Sequence, residues 1–221
     1  MSNACSYEPP RSVLSIVDSS ISDRDMIGAD EPIRLIFNDY LSLNNVSTDG
    51  IKLSTGDLNV DIFLSYDPVD RALLITPKRN LRVGVGYTLK VNPNSVFDYS
   101  EQRGNLEAVI YFRADRPIGR QVEPISYQSD IEPIFANQCG CHGFDDYVAP
   151  NLKNWGSLVD RPSHRQPEFD VIRAGRPLDS YLILRILPDY PTVLGADKTI
   201  SKEDARRLVR WIRQLAPQQP I

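Results

Sequence analysis

The stretch that sets the fold of the N-terminal half reads Ile33-Arg34-Leu35-Ile36-Phe37. Successive side chains of a β-strand point to opposite faces, so Ile33, Leu35 and Phe37 share one face of an extended chain. A short strand with one apolar face has to bury that face against another layer. We therefore predict a strand here, with its apolar side in a core.

Similar short apolar stretches recur on both sides of this strand, separated by turn residues such as Asp49-Gly50 and Asn92-Pro93. They cover residues 13–17, 51–53, 60–64, 72–76, 87–91 and 108–112. About seven short strands at near-regular spacing indicate an antiparallel sandwich rather than a parallel sheet. No cysteine lies in this region, so its core has to hold without a disulfide.

The order of these segments resembles the bacterial Ig-like domain found in S-layer and other surface proteins. The similarity covers residues 12–115 and is carried by P-I-R-L-I-F-N-D, A-L-L-I-T-P, L-R-V-G-V-G-Y-T-L-K-V, V-F-D-Y-S-E-Q-R-G-N and Y-F-R-A-D. That family serves mostly as a spacer or adhesion module. The resemblance therefore implies an all-β Ig-like sandwich without catalytic chemistry of its own.

The second half of the chain concentrates its reactive side chains in Cys139-Gly140-Cys141-His142-Gly143. Two of the three cysteines and one of the two histidines lie here. The spacing C-x-x-C-H marks covalent haem attachment, in which two thiols add to the vinyl groups and the histidine binds the iron. The spacing here is C-x-C-H, one residue short of that signature.

Helical patterns flank this motif from about Tyr127 onward. Ser201 and Asp204 have the spacing of a capping box. The apolar positions that follow recur at helical intervals and would form one stripe of a last helix: Ala205, Leu208, Val209, Ile212 and Leu215. We predict a helical domain over residues 127–221, joined to the first domain by a linker at 116–126 that contains Pro, Gly and charged residues.

This second region resembles a small class I c-type cytochrome domain over residues 127–217. The matching pieces are I-E-P-I-F-A-N-Q-C-G-C-H-G, N-L-K-N-W-G-S-L-V, R-A-G-R-P-L-D-S-Y-L-I-L-R-I-L and the closing helix. The resemblance implies an all-α fold, a covalent haem c, and His142 as the proximal ligand. A thioether from Cys141 is implied, and Gly140 leaves Cys139 a route to the second vinyl group.

The distal ligand of such a haem is open, because the methionines of the chain are Met1 and Met26, outside this domain. His164 is the candidate sixth ligand, and paired histidines would favour a lower reduction potential than histidine and methionine. Otherwise the iron is five-coordinate, or binds water or Tyr190.

The propionates of such a haem also need partners. The candidates are Arg173, Arg176 and Arg185.

Three alternatives to haem ligation remain at the motif. The two cysteines could form a strained C-x-C disulfide or remain free thiols. A zinc ion needs about four ligands, which Cys139, Cys141, His142 and His164 could nominally supply. The domain could also be a relative of the cytochromes that has lost its haem.

The N-terminus predicts export. Residues 1–11 read as a tag remnant, Met1-Ser2-Asn3-Ala4, and a polar tether that begins at Cys5. Cys5 resembles the first residue of a mature bacterial lipoprotein, which would carry a lipid anchor; an incidental surface cysteine is the alternative. An oxidising location, periplasm or cell surface, also suits the cysteine motif.

The net charge of −4 and the lack of a basic stripe argue against nucleic acid as a partner. No apolar run is long enough to span a bilayer, so a lipid anchor is the predicted membrane contact. The sequence thus predicts a non-enzymatic, exported electron-transfer protein with a redox partner in the cell envelope. The alternative is a non-redox surface scaffold or binding protein, with a second domain that has lost haem or binds a metal such as zinc.

Overall fold

The computed structural model describes residues 13–42, 46, 49–92, 95–104, 108–119, 123–143, 150–188, 190 and 200–215. The chain divides into two compact units, Met1–Arg120 and Gln121–Ile221. The N-terminal unit is a β-sandwich of two sheets, and the C-terminal unit combines short helices with isolated β-bridges.

The strands of the described N-terminal unit are β1 Ile16–Ser19, β2 Met26–Gly28, β3 Ile33–Phe37, β4 Ile51–Thr55, β5 Leu58–Val60, β6 Ile62–Asp67, β7 Ala72–Pro77, β8 Gly86–Val91 and β9 Ala108–Asp115. One sheet has the order β1-β3-β7-β6 and the other β2-β9-β8-β4-β5. Neighbouring strands are antiparallel except β2 and β9, which run parallel.

The strand predicted at residues 33–37 is confirmed, with the alternation that its sequence requires. Ile33 and Leu35 are fully buried and Phe37 nearly so, whereas Arg34 and Ile36 are half-buried on the other face. The facing sheet supplies its own inward row, which includes Leu53 and Leu89. Burying these side chains supplies the main favourable free energy of the unit, since apolar burial dominates folding.

Two strands differ from the prediction. The apolar run predicted as one strand at 60–64 is interrupted at Asp61, so that β5 and β6 belong to different sheets. β2 has only three residues, too few to show any periodicity, and its parallel pairing with β9 makes the sandwich not purely antiparallel. A parallel pair requires a long connection, and here nearly the whole unit forms it.

The C-terminal unit contains α1 Glu132–Gln138, α2 Tyr181–Ile186 and α3 Lys202–Gln214 among its described residues. A π-helical turn at Tyr127–Ile131 precedes α1, and short 3₁₀ segments lie at Leu152–Leu158 and Pro177–Asp179. Among the helices that the structure describes, α3 alone exceeds seven residues. None of the helices in the described ranges is long and apolar enough to cross a membrane.

The predicted all-α cytochrome c-like fold of this unit is wrong. Residues 159–180 are held by β-bridges that pair Val159 with Ile172, and Asp170 with both Pro162 and Ser180. Prolines disrupt helical hydrogen bonding along this segment and favour extended backbone in the residues that precede them. The described part of the unit is therefore a mixture of short helices and extended backbone.

The last helix matches its prediction. Ser201 Oγ accepts a hydrogen bond from the Asp204 amide at 3.0 Å, which caps α3. Trp211 of α3 is almost fully buried and packs edge-on against Trp155, with ring centroids 5.1 Å apart, and against Phe135 of α1, at 6.1 Å. Tyr127 completes this aromatic cluster.

Candidate functional site

The cysteine motif forms a tight turn at the end of α1. The Cys139 amide donates to the Phe135 carbonyl at 2.8 Å, which ends the helix, and the His142 amide donates to the Cys139 carbonyl at 2.8 Å. A bond from residue i+3 back to residue i closes a β-turn. The residues from Cys139 to His142 thus form one turn, which we call the cysteine turn.

The cysteine turn is also held on its far side. The Leu152 amide donates to the His142 carbonyl at 2.8 Å. Gly143 follows with φ +96°, a conformation that favours glycine, and a Cβ there would collide with the Asn151 side chain. The turn is therefore fixed by α1 before it and by the 3₁₀ segment after it.

The two thiols differ in exposure. Cys141 is exposed and Cys139 half-buried, and no disulfide joins them. His142 is half-buried, and His164 is exposed on the segment held by β-bridges. The structure therefore unites Cys139, Cys141 and His142 in one turn.

Across the described ranges, no three His, Cys, Asp or Glu side chains form a group that could hold a metal ion. The alternative zinc ligands Cys139, Cys141, His142 and His164 are therefore not grouped together among these residues. Of the remaining predicted residues, Tyr190 is buried. Cys5 lies outside the described residues.

Two of the three arginines predicted as partners of a haem, Arg173 and Arg176, engage carboxylates of the chain itself. Arg173 Nη1 lies 2.8 Å from Asp170 Oδ2, and Arg176 Nε lies 2.6 Å from Asp179 Oδ2. These pairs support the loop before α2. They contribute little to stability where they are exposed, because water screens them.

The prediction of a cytochrome c that transfers electrons through haem iron is wrong. It depended on an all-α cytochrome c-like domain, and the described unit has β-bridges and mostly short helices instead. No contact in the structure tests the roles predicted in holding haem c. They remain predictions for Cys139, Cys141, His142 and His164.

A second candidate site lies on the outer face of the sheet β2-β9-β8-β4-β5, which we call the cationic face. Strand register aligns its outward residues in three rows: Lys52, Lys90 and Val109; Ser54, Thr88 and Tyr111; Gly86, Arg113 and Met26. Tyr111 is 54% exposed and Val109 43% exposed. Lys52, Lys90 and Arg113 are exposed as well.

Lys52 and Lys90 are direct cross-strand partners on β4 and β8. Residues directly opposite in an antiparallel pair have Cβ atoms about 4.5–5.5 Å apart, so two ammonium groups in these positions repel each other. The ion pairs among the described residues are formed by arginine side chains, not by Lys52 or Lys90. The row therefore concentrates positive charge on a chain whose net charge is −4.

Sequence reasoning missed the cationic face. The signal was visible in part, because each lysine lies at an outward position between apolar inward neighbours, Ile51 and Leu53 or Leu89 and Val91. What brings the two lysines together is the register of β4 on β8, and alternation within one strand does not specify its partner.

No protein-family profile matches the chain, and no curated protein matches it. Solved structures show remote similarity. Domains 1–6 of the surface layer protein SbsC have 10% identity and a TM-score of 0.37, over 48% of this chain and 14% of that one. The copper resistance protein PcoC of Escherichia coli has 13% identity and a TM-score of 0.36, over 47% of this chain and 100% of that one.

L,D-transpeptidase 1 of Mycobacterium tuberculosis has 12% identity and a TM-score of 0.33, over 47% of this chain and 40% of that one. The chain thus spans well under two thirds of the length of the SbsC fragment and of this enzyme. At these values the similarities assign neither a family nor an activity.

Proposed function

We propose that the chain is a non-redox, non-enzymatic binding protein of the cell envelope, whose cationic face binds an acidic polysaccharide. The observation that carries the proposal is the direct pairing of Lys52 with Lys90 in the register of β4 on β8. The redox partner predicted earlier has no role in this function.

The lysine pair is costly for folding alone. Like charges directly opposite in a sheet are destabilising, by an amount comparable to the roughly 0.2–1 kcal/mol that favourable pairs contribute. A carboxylate bound between the two ammonium groups would replace this repulsion with two attractions. Binding an anion is therefore a function that would explain why two lysines lie opposite each other, although their pairing does not stabilise the fold.

The neighbouring rows suit a sugar ring better than a small inorganic anion. Tyr111 presents an exposed aromatic ring, which has an apolar face and a polar hydroxyl. Ser54 and Thr88 lie beside it in register and carry hydroxyl groups that can donate and accept hydrogen bonds. An acidic polysaccharide offers apolar ring faces, hydroxyls and carboxylates together.

An envelope location belongs to the same proposal. It is supported by the resemblance of residues 12–115 to Ig-like domains of bacterial surface proteins, which stands beside the observed β-sandwich. Lipid anchoring through Cys5 is a further part of the proposal. Metabolic labelling of the cells with a fatty acid analogue would detect it, and a Cys5→Ser chain would remain unlabelled.

The binding proposal is tested with polygalacturonate as the probe and the full chain as the protein. Titration calorimetry at low salt should show binding that weakens by tenfold or more in Lys52→Gln/Lys90→Gln. Lys153→Gln, which removes an exposed lysine of the C-terminal unit, is the matched control and should bind as the parent does. Binding should also fall steeply as salt rises, because screening weakens exposed charge interactions.

Three further outcomes would overturn the proposal. One is equal affinity of the double variant and the parent. Another is equal affinity for a neutral glucan, which would remove the role of charge. The last is the absence of binding to any acidic polysaccharide at low salt. Tighter binding to DNA or to anionic lipid vesicles than to polygalacturonate would assign the face to a different partner.

A further inference from the structure

We infer that Cys139 and Cys141 form a two-coordinate binding site for a thiophilic monovalent metal ion such as Cu(I). The inference concerns the C-terminal unit and does not depend on polysaccharide binding by the cationic face. It rests on the geometry of the cysteine turn and on the chemistry of its two thiols.

The turn brings the backbone of the two cysteines close together. Its closing bond, from the His142 amide to the Cys139 carbonyl, is 2.8 Å long. The Cα atoms at the ends of a β-turn lie within about 7 Å of each other, and Cys141 is inside that span. Gly140 has no side chain to separate the thiols.

The backbone that carries the thiols is held in place. On one side of the turn, the Cys139 amide donates to the Phe135 carbonyl of α1 at 2.8 Å. On the other side, the Leu152 amide donates to the His142 carbonyl, also at 2.8 Å. The Asn151 side chain occupies the space that a Cβ at position 143 would need, so Gly143 lets the chain pass close to it. A preorganised chelate loses less conformational entropy on binding than two thiols on a flexible loop would.

The donor set selects the class of ion. Thiolates are soft ligands and favour Cu(I), whereas Zn²⁺ sites usually have four ligands. A linear ion between two sulfurs needs no third ligand, so the lack of a three-residue group among the described side chains does not oppose it. Exposure of Cys141 lets the ion reach the first sulfur without opening the unit.

The binding step involves no oxidation. Two thiols lose their protons to solvent, two sulfur–metal bonds form, and the ion keeps its oxidation state. Each bound ion therefore releases up to two protons to solvent.

The experiment uses the full chain in a Cys5→Ser background, which removes the third cysteine of the sequence. Cu(I) is presented anaerobically as its coloured bicinchoninate complex, and transfer to the protein is read from the loss of colour. We expect one equivalent of Cu(I) per chain. Cys139→Ser and Cys141→Ser should each weaken binding at least a hundredfold, because one thiol cannot form the chelate.

Lys202→Gln is the matched control, since it changes an exposed side chain elsewhere in the same unit, and it should bind as the parent does. Cys141→Ser changes an exposed side chain, so its fold should persist, and tryptophan emission verifies this for every variant. Retention of Cu(I) by either serine variant would overturn the inference. So would failure of the parent to compete with bicinchoninate, or half an equivalent per chain, which indicates a site between two copies.

Discussion

Tyr127 connects the turn before α1 with the aromatic cluster of the C-terminal unit. Its hydroxyl donates to the Leu152 carbonyl at 3.0 Å, and its ring lies 5.4 Å from Trp155 and 5.8 Å from Trp211. Burial, with a smaller contribution from the negative charge of Glu132, raises the pKa of Tyr127 from 10.0 to about 12. The neutral phenol is thus the form that the fold stabilises.

This shift predicts how stability depends on pH. In the unfolded chain Tyr127 loses its proton near pH 10, whereas the folded unit keeps it until about pH 12. Its contribution to stability is therefore complete below pH 10 and is lost as pH rises toward 12, because the unfolded state then binds fewer protons. Urea unfolding followed by tryptophan emission measures this, since Trp155 and Trp211 both lie in the C-terminal unit.

Tyr127→Phe is the control for this prediction. It removes the ionisable group and the hydrogen bond to Leu152, so the variant should be less stable at neutral pH and lose stability less steeply above pH 10. An identical slope in the variant and the parent would show that other groups cause the alkaline loss.

Single residues also show where sequence reasoning reaches its limit. Ser201 was predicted to cap α3 and does so, because the cap depends on a neighbour three residues away. Ser180 occupies the equivalent position before α2, but its side chain makes no capping bond there. Its buried hydroxyl instead accepts from the Arg173 amide at 2.8 Å and donates to the Arg176 carbonyl at 3.0 Å. The spacing of residues in the sequence does not predict that this loop folds back to bind Ser180.

At the scale of elements, β4 and β8 allow the cost of the lysine pair to be measured. Lys52→Glu places opposite charges in register with Lys90, and we expect the N-terminal unit to gain about 0.2–1 kcal/mol. Calorimetry at low salt should show a higher transition temperature, with a smaller gain at high salt. The same variant should bind polygalacturonate more weakly, so stability and binding change in opposite directions.

A double variant supplies the control for this prediction. Lys52→Glu/Lys90→Glu restores like charges across the strands, so its stability should return toward that of the parent. If the single variant is no more stable than the parent at low salt, the lysines do not repel each other measurably, and the main support for the binding face is removed.

The elements also explain why the two halves of the chain differed in predictability. β3 and β8 alternate, and β7 is a continuous apolar run that stops at Pro77; all three strands were located almost to the residue. In the C-terminal unit, the predicted all-α fold depended on a resemblance of short segments. The β-bridges at 159–180 have no periodic signature, since they are single pairings. The cysteine motif was visible in sequence, but the turn that closes it was not.

At the scale of the whole molecule, each unit has its own buried core. Ile33, Leu35 and Ile75 are fully buried in the first unit, as are Phe135 and Ile212 in the second. We expect fragments 1–120 and 121–221 each to fold when produced separately. Circular dichroism should show a cooperative thermal transition for each, and the second fragment should keep the tryptophan emission of the full chain. A fragment without a cooperative transition would show that its unit depends on the other.

The parallel pairing of β2 with β9 has a consequence for how the first unit is made. β9 lies between β2 and β8 in the five-stranded sheet. The sheet therefore cannot be completed until the ribosome has synthesised the chain beyond Asp115. Until then β8 exposes an unpaired edge, which invites association with other chains. Pairings this distant in the chain also slow folding. The nascent unit therefore remains open until its last strand emerges, and export in an unfolded state or shelter by a chaperone would protect it during that interval.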